Sequence, residues 1–267
     1  MADQLAAAQM VQDSLMLYSV WQPADPEAAA ALLPPGGPPL LGSAYMNQYV
    51  VLTDEQTSGF GAYSLTYLGL EIAGMMDPEG VLPARYMLFY FNSSERMREF
   101  TIREYGLPAE PASTTLAVTA GNVVATTNVG GRDLIRVEAS FGSNILMRAR
   151  GQLTYVREKD GKMMAGNFPY AADLQDGLQI RSIDFLDPGH PVSALDADAE
   201  QPLCHLPCEP FQLAEVVPQI AVGVDQGFVL RIVFSQQRKQ LAHLDVAVRA
   251  RSFLSLYPCH NSSSAEC

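Results

Sequence analysis

Arg103-Glu104-Tyr105-Gly106-Leu107-Pro108-Ala109-Glu110-Pro111 decides how this chain is read. Two prolines, a glycine and paired charges interrupt an otherwise apolar, β-rich region there. The ring of Pro108 fixes its own φ and pushes Leu107 out of the helical region. A rigid, extended or turned segment is expected. It carries Arg103, Glu104 and Glu110 between aromatic strands, a setting that suits chemistry. The plainer reading is a strand-to-strand turn with solvated charges.

On the N-terminal side, residues 95–100 read as a helical turn feeding this stretch, and 85–92 (RYMLFYFN) as a strand too apolar to face solvent. Thr57-Ser58-Gly59-Phe60-Gly61 is a turn leading into an aromatic strand through Tyr63 and Tyr67. Residues 46–53 form a further strand. Asp25-Pro26-Glu27-Ala28 opens a helix with an acidic cap and proline at its first position. That helix stops at Pro34-Pro35-Gly36-Gly37. Residues 15–21 alternate as a strand, and 5–11 start a short helix.

On the C-terminal side, 117–128 and 134–140 form a hairpin across Val129-Gly130-Gly131-Arg132. A second hairpin turns at Lys159-Asp160-Gly161-Lys162, and 178–185 is another strand. Residues 187–210 are polar, proline-bearing and without period, a lid or a floppy insert. The strand pattern resumes at 228–234 and 244–253, and 259–267 is a Ser-rich, frayed tail. The sum is a mostly β (α+β) fold, one curved antiparallel sheet or barrel with a few short helices.

The 267 residues suit one domain with a substantial core, 48% of them being hydrophobic. No run of eighteen apolar residues occurs, and the N-terminus lacks the basic flank of a secretory signal, so a cytoplasmic protein is expected. A net charge of −12 repels polyanions, which speaks against nucleic acid and anionic membrane surfaces. The first Lys or Arg of the chain is Arg85. Cys204, Cys208, Cys259 and Cys267, with His205 and His260, have a spacing and setting poor for zinc, so no metal is assigned and reduced thiols are expected.

The titratable groups narrow the chemistry. Of three lysines, Lys159 and Lys162 sit in a polar turn and Lys239 in a hydrophilic run, so none has the desolvation a Schiff-base amine needs. No histidine precedes His190, which reads as part of a tight loop, and His243 reads as structural. There is no nucleophile elbow and no complete dinucleotide fingerprint, so no cofactor is assigned. Carboxylate and phenol chemistry remains. Glu104 and Glu110 straddle Pro108, and Tyr63, Tyr67, Tyr86, Tyr90 and Tyr105 lie on nearby strands or turns. A carboxylate in an apolar cavity works as an acid or base near neutrality, and a tyrosine can donate to a carbonyl oxygen as it gains charge. For each tyrosine singly, core packing is the simpler role.

This order of features resembles the acetoacetate decarboxylase family over residues 32–141: Leu32-Leu33-Pro34, the Ser-Gly turn before Tyr63, the apolar strand 86–91, then Arg103-Glu104 and Pro108. The resemblance implies a closed, cone-shaped β-barrel with a largely apolar cavity in a homo-oligomer. It also implies a departure. Ala109 and Glu110 stand where the family places its lysine pair, its strand glutamate falls near Leu65, and nothing basic replaces its N-terminal arginine. Fold without Schiff-base decarboxylation is the expectation. Glu110 is then the acid/base toward a small hydrophobic carbonyl compound, such as a β-dicarbonyl or polyketide-like intermediate. Tyr105 or Tyr63 assists the carbonyl in cyclisation, dehydration or C–C cleavage. Arg103 and Glu104 support the segment, and Tyr67, Tyr86, Leu65 and Met87 complete the binding surface. A non-catalytic binding protein that keeps the cavity, or a mere assembly subunit, are the alternatives.

Overall fold

The computed structural model describes residues 11–141, 146–175, 178–197 and 228–232. The chain divides into Met1–Phe234 and Ser235–Cys267, and every described residue lies in the first unit. Its strands are β1 (Ser14–Trp21), β2 (Leu40–Val51), β3 (Tyr63–Met76), β4 (Pro83–Asn92), β5 (Ala109–Thr119), β6 (Asn122–Val129), β7 (Arg132–Phe141), β8 (Leu146–Lys159), β9 (Lys162–Gln175), β10 (Leu178–Phe185) and β11 (Phe228–Ile232). Among the described residues two α-helices join them, α1 (Pro26–Ala30) and α2 (Glu95–Tyr105). Among the described residues no helix is long and apolar enough to cross a membrane.

The strands run β4-β3-β2-β1-β11-β9-β8, and β8 returns to β4 through Arg85↔Tyr155 and Tyr86↔Val156. This closes a mostly antiparallel barrel. From β4 a second, antiparallel layer β5-β6-β7-β10 branches off. The closing β4–β8 joint and the β4–β5 joint are parallel. A parallel pair needs a crossover, and α2 is the one between β4 and β5.

The period of two along the strands separates two cores. Tyr18, Tyr45, Tyr49, Tyr63, Leu65, Tyr90 and Tyr155 turn into the barrel, where Met97 and Phe100 of α2 join them. Leu17, Trp21, Met46, Leu68 and Phe91 turn outward and pack beneath Val123, Ile135, Val137 and Ile183 of the second layer. Polar groups caught between the layers pair with one another: Thr66 Oγ1 lies 2.8 Å from Thr114 Oγ1 and 2.6 Å from Thr127 Oγ1, and Gln48 Nε2 donates to Thr127 at 3.1 Å.

Several local readings meet a different structure. The central stretch is not one extended segment. Arg103, Glu104 and Tyr105 are the last turn of α2, Gly106 caps it in the left-handed region (φ 67°), and β5 begins at Ala109. The signals were local: Ser94 accepts from Met97 N–H at the N-cap, and glycine follows the last helical residue. Residues 117–128 are not one strand, because Ala120-Gly121, both at positive φ, turn the chain between β5 and β6. Of the 187–210 stretch, residues 187–197 are described and 198–210 lie outside the described residues. Its 3-10 turn, Pro191–Leu195, buries Val192 and Leu195, and Leu195 O accepts from Trp21 Nε1 at 2.7 Å. The hairpins at 129–132 and 159–162 and the Asp25 cap of α1 stand as expected. The cysteine positions, His205, His243, His260, Lys239, the 5–10 part of the first helix and the 244–253 strand lie outside the described residues.

Candidate functional site

Two neighbouring features carry the titratable chemistry, a phenol-rich barrel interior and a cleft at its edge. The interior is centred on Arg85, only 2% exposed, on β4. Its register partner is Glu71 on β3, so strand pairing sets the two side chains side by side. Nη2 and Nε of Arg85 both reach Glu71 Oε1, at 3.0 and 3.2 Å. The guanidinium lies 5.3 Å from the Tyr18 ring centre and 5.6 Å from that of Tyr45. Burial works against the guanidinium's charge, but the Tyr18 and Tyr155 phenols and the Glu71 carboxylate outweigh it and raise its pKa. A cation in a dry site is tolerated only with such compensation.

The bulge between Leu68 and Gly69 sets this geometry. It brings Tyr86 O so close that a Cβ at position 69 would stand 1.9 Å from it. Only glycine fits. Around the pair, burial raises the pKa of Tyr18, Tyr45, Tyr49, Tyr67, Tyr90 and Tyr155 well above the ordinary phenol value. They stay protonated at neutral pH. Asn47 Nδ2 donates to Tyr67 Oη at 2.9 Å, and Tyr67 Oη lies 3.0 Å from Tyr155 Oη.

The cleft, about 600 Å³, lies between the last turn of α2 and the β8–β9 hairpin. Arg103, Glu104 and Tyr105 come to it from α2, Met87 from β4, Tyr155 and Arg157 from β8, and Phe168 from β9. Glu104 accepts from Arg103 Nε at 2.7 Å, with 43% of its side chain exposed. Burial, then the Glu104 carboxylate beside it, raises the Tyr105 pKa. Arg157 donates to Met87 O at 3.0 Å and lies over the Tyr86 ring. Lys159 donates to the carbonyl oxygens of Arg103 and Glu104, which ties the hairpin to the end of α2. That lysine is engaged with the helix terminus.

The expected site residues are thus dispersed. Arg103, Glu104, Tyr105 and Met87 line the cleft. Leu65 and Tyr63 are buried inside the barrel, Tyr63 Oη lying 3.1 Å from Tyr49 Oη. Tyr67 joins them there through its bonds to Asn47 and Tyr155. Tyr86 belongs to the outward core, its hydroxyl accepting from Glu158 N at 3.4 Å. Glu110 does not line the cleft. It pairs in register with outward-facing Phe91, keeps 42% of its side chain exposed, and sits 3.8 Å from His190 Nε2. Its neighbour Ala109 takes the barrel side, packed against the interior tyrosines. Among the described residues, phenols and the Arg85–Glu71 ion pair turn into the barrel interior.

Sequence reasoning passed over Glu71, Arg85, Asn47, Tyr155 and Arg157. Arg85 did carry a signal, being the first basic residue of the chain and set in an apolar strand.

No family model matches the sequence. No curated protein matches it either. Solved structures show a distant likeness. An acetoacetate decarboxylase superposes with a TM-score of 0.47 at 12% identity, over 71% of this chain and 79% of its own. The acetoacetate decarboxylase of Legionella pneumophila gives 0.45 at 16% identity, over 71% and 78%. The enduracididine biosynthesis enzyme MppR, complexed with pyruvate, gives 0.47 at 14% identity, over 73% and 84%. Likeness at this distance concerns overall shape, and the chemistry of the cleft is read from its own residues.

Proposed function

We propose that the cleft beside α2 binds a small, largely hydrophobic carbonyl compound and promotes its enolisation without a Schiff base. The observation that carries this reading is the pairing, within one 600 Å³ cleft, of a carboxylate (Glu104) with phenols held protonated (Tyr155 and Tyr105). In this reading Glu104 takes the proton from the carbon next to the carbonyl. The electron pair of that C–H bond becomes the C=C bond of the enolate and the carbonyl π pair moves onto oxygen, where Tyr155 donates a hydrogen bond to the growing charge and Tyr105 assists. Met87 and Phe168 supply the apolar surface. An enolate so formed can cyclise, lose water or cleave. Glu104 takes the role first expected of Glu110, because Glu110 stands beside His190 rather than at the cleft.

Deuterium uptake from D₂O at the α-carbon of a panel of ketones and β-keto esters tests this. Catalysed uptake is expected, slowed about a hundredfold by Glu104→Gln. Uptake unaffected by that change sinks the assignment. A binding protein without turnover is the second reading, favoured by the 2.7 Å bond that already engages Glu104 with Arg103. A compound that raises the melting temperature and exchanges no proton would establish it.

A further inference from the structure

The hydrogen bonds of Asn47, Tyr67 and Tyr155 have a direction. Asn47 Nδ2 is an amide nitrogen, which donates and cannot accept. It lies 2.9 Å from Tyr67 Oη, so the Tyr67 oxygen receives that hydrogen. The Tyr67 hydroxyl has two partners among the described residues, Asn47 Nδ2 and Tyr155 Oη. A buried O–H finds an acceptor wherever one exists, and of these two only the Tyr155 oxygen can accept. Tyr67 therefore donates to Tyr155 across 3.0 Å. The Tyr155 hydrogen is then turned away from Tyr67. Tyr155 is also the member of the chain that lines the cleft.

We infer that Asn47, Tyr67 and Tyr155 form a one-way donor relay that presents the Tyr155 hydroxyl hydrogen to an acceptor oxygen of the cleft ligand. The ligand class is an oxygen acceptor that gains negative charge, a carbonyl passing to an enolate, or an enol. Such an oxygen takes the Tyr155 hydrogen. Asn47 and Tyr67 touch no ligand and are positioning residues. Successive donors polarise one another, so each step upstream makes Tyr155 a better donor. This inference rests on the cleft reading above for its ligand, but the relay itself is a property of the free protein.

Asn47→Asp is the informative change, nearly isosteric and opposite in sense. A carboxylate only accepts. Tyr67 would turn its hydrogen to residue 47, Tyr155 would turn its own to Tyr67, and nothing would be left to donate to a ligand. Two readouts are taken on wild type and variant. The first is the NMR signal of tyrosine labelled with ¹³C at Cζ. The Tyr155 signal should move on Asn47→Asp, and should not move when the same change is made in a Tyr67→Phe background. A Tyr155 signal that stays put in the single variant, or moves equally in both backgrounds, overturns the relay. The second is the affinity for acetylacetone, which should fall about tenfold or more in Asn47→Asp. Equal affinity in wild type and variant also overturns it. If the buried carboxylate prevents folding, Tyr67→Phe alone decides: it should shift the Tyr155 signal and weaken acetylacetone binding, and an unchanged signal refutes the relay. Acetylacetone failing to bind wild type refutes the cleft reading, while the labelled tyrosine still judges the relay.

Discussion

Replacing Arg85 by methionine keeps the length of the side chain and removes its charge. Glu71 would be left with 9% of its side chain exposed and without its partner at 3.0 Å. An uncompensated buried charge costs about 3–5 kcal/mol. The two ring contacts, at 5.3 and 5.6 Å, add roughly 1 kcal/mol when lost. A loss of about 5 kcal/mol is expected, against a total stability of roughly 5–15 kcal/mol for an ordinary domain. The double change Arg85→Met with Glu71→Leu removes both charges and should recover most of that loss, since a buried pair contributes little net stability over apolar residues of similar volume. The chain's one tryptophan makes the assay convenient. Trp21 is fully buried and bonded to Leu195 O at 2.7 Å, so its emission reports unfolding directly. With a urea slope of about 3 kcal/mol per molar, the single variant should unfold roughly 1.7 M earlier than wild type. A single variant within about 1 kcal/mol of wild type, or a double variant no better than the single, would refute the account of this pair.

Gly69→Ala should cost about 3 kcal/mol or more, because its Cβ would stand 1.9 Å from Tyr86 O and the β3–β4 bulge would have to reform; a urea midpoint equal to wild type would contradict that geometry. The buried tyrosines predict alkaline sensitivity. Their pKa values are raised in the folded state, so they keep protons that the unfolded chain gives up above about pH 10. Their stabilising contribution is fully present below that pH and is lost as pH climbs toward the folded values. Phenolate absorbance should rise together with unfolding, and a gradual rise with Trp21 emission unchanged would show that the phenols titrate in the native state.

Much of the architecture was legible because the signals are short-range. Alternation in 15–21, the Val- and Tyr-rich run from 46, the Gly-Gly and Asp-Gly turns and the Asp25-Pro26 cap each rest on a few adjacent residues; each stands in the structure, the second as the end of β2, which stops at Val51. The central stretch was misread because Pro108 drew attention from Ser94 and Gly106, which bound α2 on either side of an ordinary helical run. The site was harder to read. Glu71 and Arg85 lie fourteen residues apart in sequence and meet only through the bulged β3–β4 register. Asn47, Tyr67 and Tyr155 come from three strands, with Tyr155 eighty-eight residues beyond Tyr67.

By itself the sequence determined a β-rich chain with its turns and strand faces, free of basic residues until Arg85, and bearing carboxylates and phenols at its centre. Only the tertiary structure decided which of those groups act together. A strand has two faces and one residue reverses the side, so Ala109 faces the barrel while Glu110 faces His190. Closure of β8 on β4 then sets Tyr155 beside Arg85, a contact that no local pattern encodes because register between distant strands fixes it.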